Sequence, residues 1–126
     1  QQGLGEDLAI VTFGNGCYLA QQALPALTAL GLATRIIDMR WLSPLPTQAL
    51  IAATKGCRHI LIVDETRHSG GIAEALMALF AESTAAKTAR LTATDSFIAT
   101  GPAYAATLPS TQALIAAAQS LTASSP

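Results

Sequence analysis

Three stretches of this chain carry residue types at spacings that could do chemistry. Gly14-x-Gly16 follows an apolar run, opens a helical pattern, and is trailed by Asp38 at the end of the next apolar run. That is the layout of a dinucleotide site, where glycines let a pyrophosphate approach a helix N-terminus and a carboxylate meets the ribose. The layout breaks at its third glycine, which is Leu19 here, and Pro25 disturbs the helix whose dipole would hold the phosphates. The competing reading is a glycine turn at a strand-to-helix corner, so no cofactor-binding residue is assigned.

The second stretch, Asp64-Glu65-Thr66-Arg67-His68-Ser69-Gly70-Gly71, is the densest polar cluster of the sequence. A histidine beside carboxylates could act as a general base, and Ser69 could in principle be a nucleophile. Adjacency in sequence does not make side chains converge, however, and Gly-x-Ser-x-Gly is absent. The alternative is a polar loop whose Gly-Gly turn starts a helix and whose Glu65, Arg67 and His68 touch a partner. The third stretch, Asp38 to Leu45, holds the only tryptophan. Arg40 and Trp41 just past a strand end, stiffened by Pro44 and Pro46, suit a rigid interface, although Trp41 could equally pack in the core. No catalytic residue is assigned. Cys17 and Cys57 stand far apart without Cys-x-x-Cys or Cys/His spacing, so no metal ligand is assigned either.

The elements that must position these stretches alternate. Leu8–Phe13, Thr34–Met39, Arg58–Val63 and Ala89–Thr94 read as strands, and Asp64–Gly71 as the loop after the third. Helical spacing follows each of the first three: Ala20, Ala23 or Leu24, Leu27 and Leu30 inward before Gly31, then Thr47–Lys55, then Gly71–Glu82 with Ile72, Leu76, Leu79 and Phe80 inward. Pro25 predicts a kink in the first helix. A last helix runs from about Ser110 to Leu121, and Ala123–Pro126 should fray. Such alternation implies right-handed crossovers and a three-layer α/β/α fold around a mainly parallel sheet of four to five strands. It gathers four loops at the carboxyl edge of that sheet: 14–16, 40–45, 64–71 and 95–103. The expected division is a residual linker or edge strand over residues 1–7, a domain over 8–122, and the tail. His59, at the opposite edge, reads as structural.

Composition narrows the function classes. The 126 residues are 51% hydrophobic and only 12% charged, with a net charge of −1, which argues for a well-filled core and against nucleic acid or anionic lipid as partner. No apolar run reaches the ~18 residues of a membrane span, and no signal peptide is apparent, so a soluble intracellular protein is expected. No charge lies between Asp7 and Arg35 or after Asp95, although both stretches contain helices that normally show a charged outer face. Either a partner covers those faces, or Gln, Ser and Thr serve as the polar surface. The chain begins at Gln1 without a methionine, so it is expected to be processed or cut from something longer.

Ile36-Ile37-Asp38-Met39-Arg40-Trp41-Leu42-Ser43-Pro44-Leu45 resembles the I-D-L-R-x-L-S-P-L segment of the transketolase C-terminal domain, in the version carried by the β subunits of thiamine-diphosphate-dependent 2-oxo acid dehydrogenase E1 components. Ile62-Val63-Asp64-Glu65 followed by Gly70-Gly71-Ile72-Ala73-Glu74 is similar to that family's V-x-E-x…G-G-x-x-x-E segment, and Val11-Thr12-Phe13-Gly14 to its V-T-Y-G strand. The segment from Ala93 to Ala103 departs from the D-x-P-x-P of separate β subunits and looks more like E1 proteins with fused α and β halves. The resemblance implies a cytoplasmic enzyme that decarboxylates a 2-oxo acid and passes the acyl group to a lipoyl group on E2. It also implies that thiamine diphosphate and Mg²⁺ sit on pyrimidine- and pyrophosphate-binding domains outside this stretch. This domain would then be inactive alone, serving assembly, contact with a second E1 protomer and docking of the E2 subunit-binding domain. A transketolase or deoxyxylulose-phosphate synthase is the alternative within the enzymes, and a small nucleotide-binding module the alternative outside them. The family sheet also has an antiparallel strand ahead of the first parallel one, which only Gln1–Glu6 could supply.

Overall fold

The computed structural model describes residues 1–123; residues 124–126, the end of the tail expected to fray, lie outside the described residues. Leu8–Thr12 (β1), Thr34–Asp38 (β2), His59–Arg67 (β3) and Lys87–Ala93 (β4) form one sheet in the order β2-β1-β3-β4. All three pairings are parallel, with Leu8 beside both Thr34 and His59, and His59 beside Lys87. Helices Asn15–Ala29 (α1), Thr47–Thr54 (α2), Ile72–Ser83 (α3) and Thr111–Ala123 (α4) cover it.

The period-two pleat divides the strand residues between two cores. Leu8, Ile10, Ile36, Leu61 and Val63 pack under α1 and α4, against Ala20, Ala23, Leu27, Leu114, Ala118 and Leu121. Ala9, Val11, Ile37, Ile60 and Ile62 pack under α2 and α3, against Leu50, Ala73, Leu76 and Phe80. The three-layer α/β/α architecture follows, and the sheet has four strands. Because α1 and α4 share one face, the helices of the two charge-free stretches form a single outer layer.

Local chemistry fixes the helix ends. Leu30 caps α1, Gly31 takes φ 76, and the amides of Gly31 and Leu32 bond to Thr28 O and Leu27 O. This is a Schellman stop, which a side chain at Gly31 would strain. Leu30 therefore lies past the helix and is exposed, contrary to its expected inward place. Pro25 sits inside α1 without interrupting it, on the exposed side with Gln21, so the carbonyl it leaves without a donor faces water.

Two expectations need correction at the carboxyl edge. Asp64–Arg67, read as loop, continues β3: the strand bulges between Asp64 and Arg67 and pairs Arg67 with Ala93. The polar residues extend the strand because β4 runs beside them. Beyond β4, the chain makes an unforeseen 3₁₀ turn over Gly101–Ala106 before α4. At the other sheet edge, Gln2 makes one antiparallel bridge to Ile36, a minimal version of the expected extra strand. No helix among the described residues is long and apolar enough to cross a membrane.

Candidate functional site

The crossovers bring the chemically interesting residues to the carboxyl edge, but to different parts of it. Thr12 ends β1, fully buried, and its hydroxyl donates to Val63 O at 2.8 Å. A Cβ on Gly16 would lie 2.1 Å from the Thr12 Oγ1. Gly16 is thus a glycine because α1 starts hard against the strand, and its missing side chain makes room for Thr12 instead of a phosphate. Asp38 is half-buried and paired with Arg40 Nε at 2.6 Å. The Gly14-x-Gly16 and Asp38 pattern therefore belongs to packing and to a local ion pair.

Asp64 organises the β3–α3 turn. Its fully buried carboxylate accepts the Thr66 amide at 2.8 Å through Oδ1 and the Ala73 amide at 3.0 Å through Oδ2. The second bond satisfies one of the amides left open at the start of α3, a capping role taken by a residue seven positions ahead of the cap Gly71. Gly71 permits this closure, because a Cβ there would lie 2.7 Å from Thr66 Oγ1 and 2.9 Å from Arg67 O. The first titratable group of the polar cluster is thereby a structural one.

The remaining members meet β4 and the loop after it. Arg90 donates through Nη1 to His68 O at 2.8 Å, and its Nη2 stands 2.9 Å from His68 Nε2. A guanidinium can only donate, so Nε2 accepts, Nδ1 carries the proton, and it donates to Thr92 Oγ1 at 3.1 Å. Thr92 passes its own proton on to Ala93 O at 3.0 Å. Ser69 turns elsewhere: its hydroxyl and amide donate to Asp95 at 2.5 Å and 2.9 Å. Those bonds, the hydroxyl first, hold the Asp95 carboxyl below its ordinary range, helped by His68. A serine bonded to a carboxylate and a histidine bonded to arginine and threonine do not form the serine–histidine contact that a nucleophilic pair requires.

The surroundings are open. Arg67, Ser69, Asp95, Ser96 and Phe97 line a cleft of about 640 Å³, and Phe97 and Ile98 stand exposed beside it. A second hollow of about 380 Å³ lies between α1 and α4, where Asn15 Nδ2 donates to Glu65 Oε1 at 2.7 Å above Leu19 and Tyr104. Arg40 and Trp41 occupy the far side. Trp41 is 63% exposed, which settles its placement outside the core, and it lines a shallow groove with Gln1, Met39, Ala49 and Ala53. Since β1 and β3 separate β2 from β4, the Arg40–Trp41 and His68–Arg90 groups stand roughly 10–15 Å apart. The five interface candidates Arg40, Trp41, Glu65, Arg67 and His68 thus share one edge without forming one cluster.

Arg90, Thr92 and Asp95 complete the polar group and escaped the sequence reading. Their signal was an arginine at the centre of the fourth strand and an acid two residues past its end. The thiols of Cys17 and Cys57 are both free and pushed above their ordinary range, chiefly by burial. Among the described residues, no group of three His, Cys, Asp or Glu side chains converges to hold a metal ion.

Comparison with known proteins adds a frame. The family model described as "Transketolase, C-terminal domain" matches residues 1–114. A 1-deoxy-D-xylulose-5-phosphate synthase of Dehalococcoides mccartyi is 30% identical over 78 residues, covering 62% of this chain and 12% of that protein. The 2-oxoisovalerate dehydrogenase subunit beta of Bacillus subtilis is also 30% identical over 78 residues, covering 62% of this chain and 24% of the subunit. Among solved structures, a split-gene transketolase described as an inactive beta4 tetramer superposes with a TM-score of 0.84 at 22% identity, over 96% of this chain and 41% of that one. The chain spans an eighth to a quarter of these curated relatives, 12% of one and 24% of the other.

Proposed function

The chain belongs to the transketolase C-terminal domain family, and from that premise we propose that it is the assembly domain of a thiamine-diphosphate-dependent 2-oxo acid dehydrogenase E1. In this reading the enzyme decarboxylates a 2-oxo acid oxidatively and hands the acyl group to a lipoyl group on E2. This chain contributes the carboxyl edge of its sheet to contacts with the pyrimidine- and pyrophosphate-binding domains, a second E1 protomer and the E2 subunit-binding domain. The carrying observation is Trp41, 63% exposed on a short stiff loop beside an Arg40 side chain that is 88% exposed. An aromatic and an arginine held in water at the edge where chains of this topology meet their ligands are the residue types that anchor interfaces.

The residues present do not suit thiamine diphosphate with its Mg²⁺. The carboxylates near the carboxyl edge are already engaged: Asp38 with Arg40, Glu65 with Asn15, Asp64 with two backbone amides and Asp95 with Ser69. Their engagement supports placing the cofactor on other domains, and no step of the reaction is assigned to this chain. The test is co-sedimentation of the chain with the remaining E1 domains and with the E2 subunit-binding domain. Trp41→Ala combined with Arg67→Ala should weaken one or both associations at least about tenfold, the scale of a single interface anchor; unchanged binding by the double variant overturns the assignment of this edge.

A second reading has its own observation, since the synthase and the dehydrogenase subunit match over the same length at the same identity. The complete enzyme decides between them. Acylation of a lipoyl group supports the dehydrogenase, and formation of 1-deoxy-D-xylulose 5-phosphate supports the synthase.

A further inference from the structure

The amino end of the sheet holds a feature that the assembly reading does not use. Arg35 lies on β2 and is buried, 8% exposed, among backbone oxygens. Its Nε donates to Gly5 O at 3.0 Å, Nη1 to Ala53 O at 2.8 Å and Lys55 O at 3.3 Å, and Nη2 reaches Leu4 O at 3.4 Å. A buried guanidinium needs acceptors for its fork of donors; here the segment ahead of β1 and the end of α2 supply them.

The same segment is fastened at every step. Gln2 exchanges both backbone bonds with Ile36 at 2.8 Å. Gly3 takes φ 77, and Gly5 crosses the backbone of Ala33 and Thr34 so closely that a Cβ would fall 2.2 to 2.4 Å from it. Asp7 then accepts the Ala33 amide at 2.8 Å and pairs with Arg58, while its carbonyl meets His59 Nδ1 at 2.9 Å. Followed backwards, the segment passes under the amino end of β2 and turns up its outer edge, and Gln1 ends in the groove of Trp41.

We propose that residues 1–7 are a clamped strap, that Arg35 is the positioning residue that locks it across β2, and that the lock holds Gln1 at a fixed point beside Trp41. The strap is a property of this chain by itself. That it also aims a preceding domain at the carboxyl edge rests on the assembly reading above.

Hydrogen exchange on the 126-residue chain tests the lock without any partner. Arg35→Met keeps the apolar stem and removes the donors. The amides of Gln2, Asp7 and Leu8, which donate to Ile36 O and Ala33 O, should then exchange about tenfold faster or more, the scale of one lost charge-assisted hydrogen bond, while those of β1 and β3 beyond residue 8 keep their protection. Arg35→Lys should retain part of the protection. Gly5→Val gives a second route, because it lifts the strap from Ala33 and carries Gly5 O away from Arg35 Nε while the guanidinium itself is kept, and it should loosen the same amides and make Trp41 easier to quench. Strap amides that stay protected in Gly5→Val and Arg35→Met overturn the lock, as does a rise shared equally by every strand. Unchanged quenching of Trp41 overturns its place beside the strap. Because none of these readouts involves E1 domains or E2, the strap and the assembly reading can fail separately.

Discussion

The two ends of the sheet are closed by buried ionic side chains of opposite kind. At the amino end, the guanidinium of Arg35 donates to carbonyls of the strap and of α2. At the carboxyl end, the carboxylate of Asp64 accepts amides of the β3–α3 turn. Each binds backbone, so each fixes a path of the chain and not merely a neighbouring side chain. A third group, Arg90 on the other edge strand, binds one carbonyl but otherwise a histidine ring and, at 3.8 Å, Glu74. The difference teaches where this molecule is committed and where it is adjustable: backbone partners cannot rotate away, whereas the partners of Arg90 can exchange for those of an incoming surface.

The largest test of that contrast is Asp64→Ala. It strands two amides in a fully buried turn and should cost about 3 kcal/mol, read as a lower midpoint in chemical denaturation. Arg35→Met should follow at about 2–3 kcal/mol, since part of the strap can open to water and rehydrate its carbonyls. Arg90→Met should cost about 1 kcal/mol or less, its contacts being partly exposed and held by side chains. If Arg90→Met proved as costly as Arg35→Met, the distinction between a committed and an adjustable edge would be lost.

Much of this arrangement was legible in the sequence. The strands and helices were, because each carries an apolar period that only one burial pattern satisfies, and the glycines at 31 and 71 stand where the chain must stop a helix or crowd a side chain. The polar edge was less so. Asp64 to Arg67 looks like a loop because polarity, taken locally, signals solvent, whereas β4 extends the sheet alongside and adds strand structure that no local pattern encodes. Trp41 could not be placed, since its loop allows either burial or exposure and only the packing of α2 decides. Arg35 was passed over for a similar reason: a lone arginine in a strand pattern reads as solvated until the strap that covers it is seen.

The two ends should also separate in pH. His59, at the amino end, has its pKa lowered, first by burial and then by Arg58 and Lys87. The unfolded chain therefore binds a proton more readily than the folded one, and stability should be full above an ordinary histidine pKa of about 6.5 and fall as pH drops below it toward the folded value. Repeating the denaturation series across that window with His59→Gln should flatten the slope.

The smallest effect expected belongs to Ser69 and Asp95. Asp95 is held below its ordinary range, first by the Ser69 hydroxyl and next by the Ser69 amide, and its folded form therefore prefers to be charged. Whatever stability this linkage gives is present above the unfolded carboxyl pKa of about 3.9 and is lost as pH falls through the lower folded value, well away from the histidine window. Ser69→Ala removes the first cause and leaves the second. The Asp95 pKa, followed by its side-chain carbon resonance, should rise part of the way toward the ordinary value while the midpoint of unfolding at neutral pH barely moves. A large loss of stability at neutral pH in Ser69→Ala would instead mean that the loop after β4 is fastened as firmly as the strap, and that the carboxyl edge has no adjustable side.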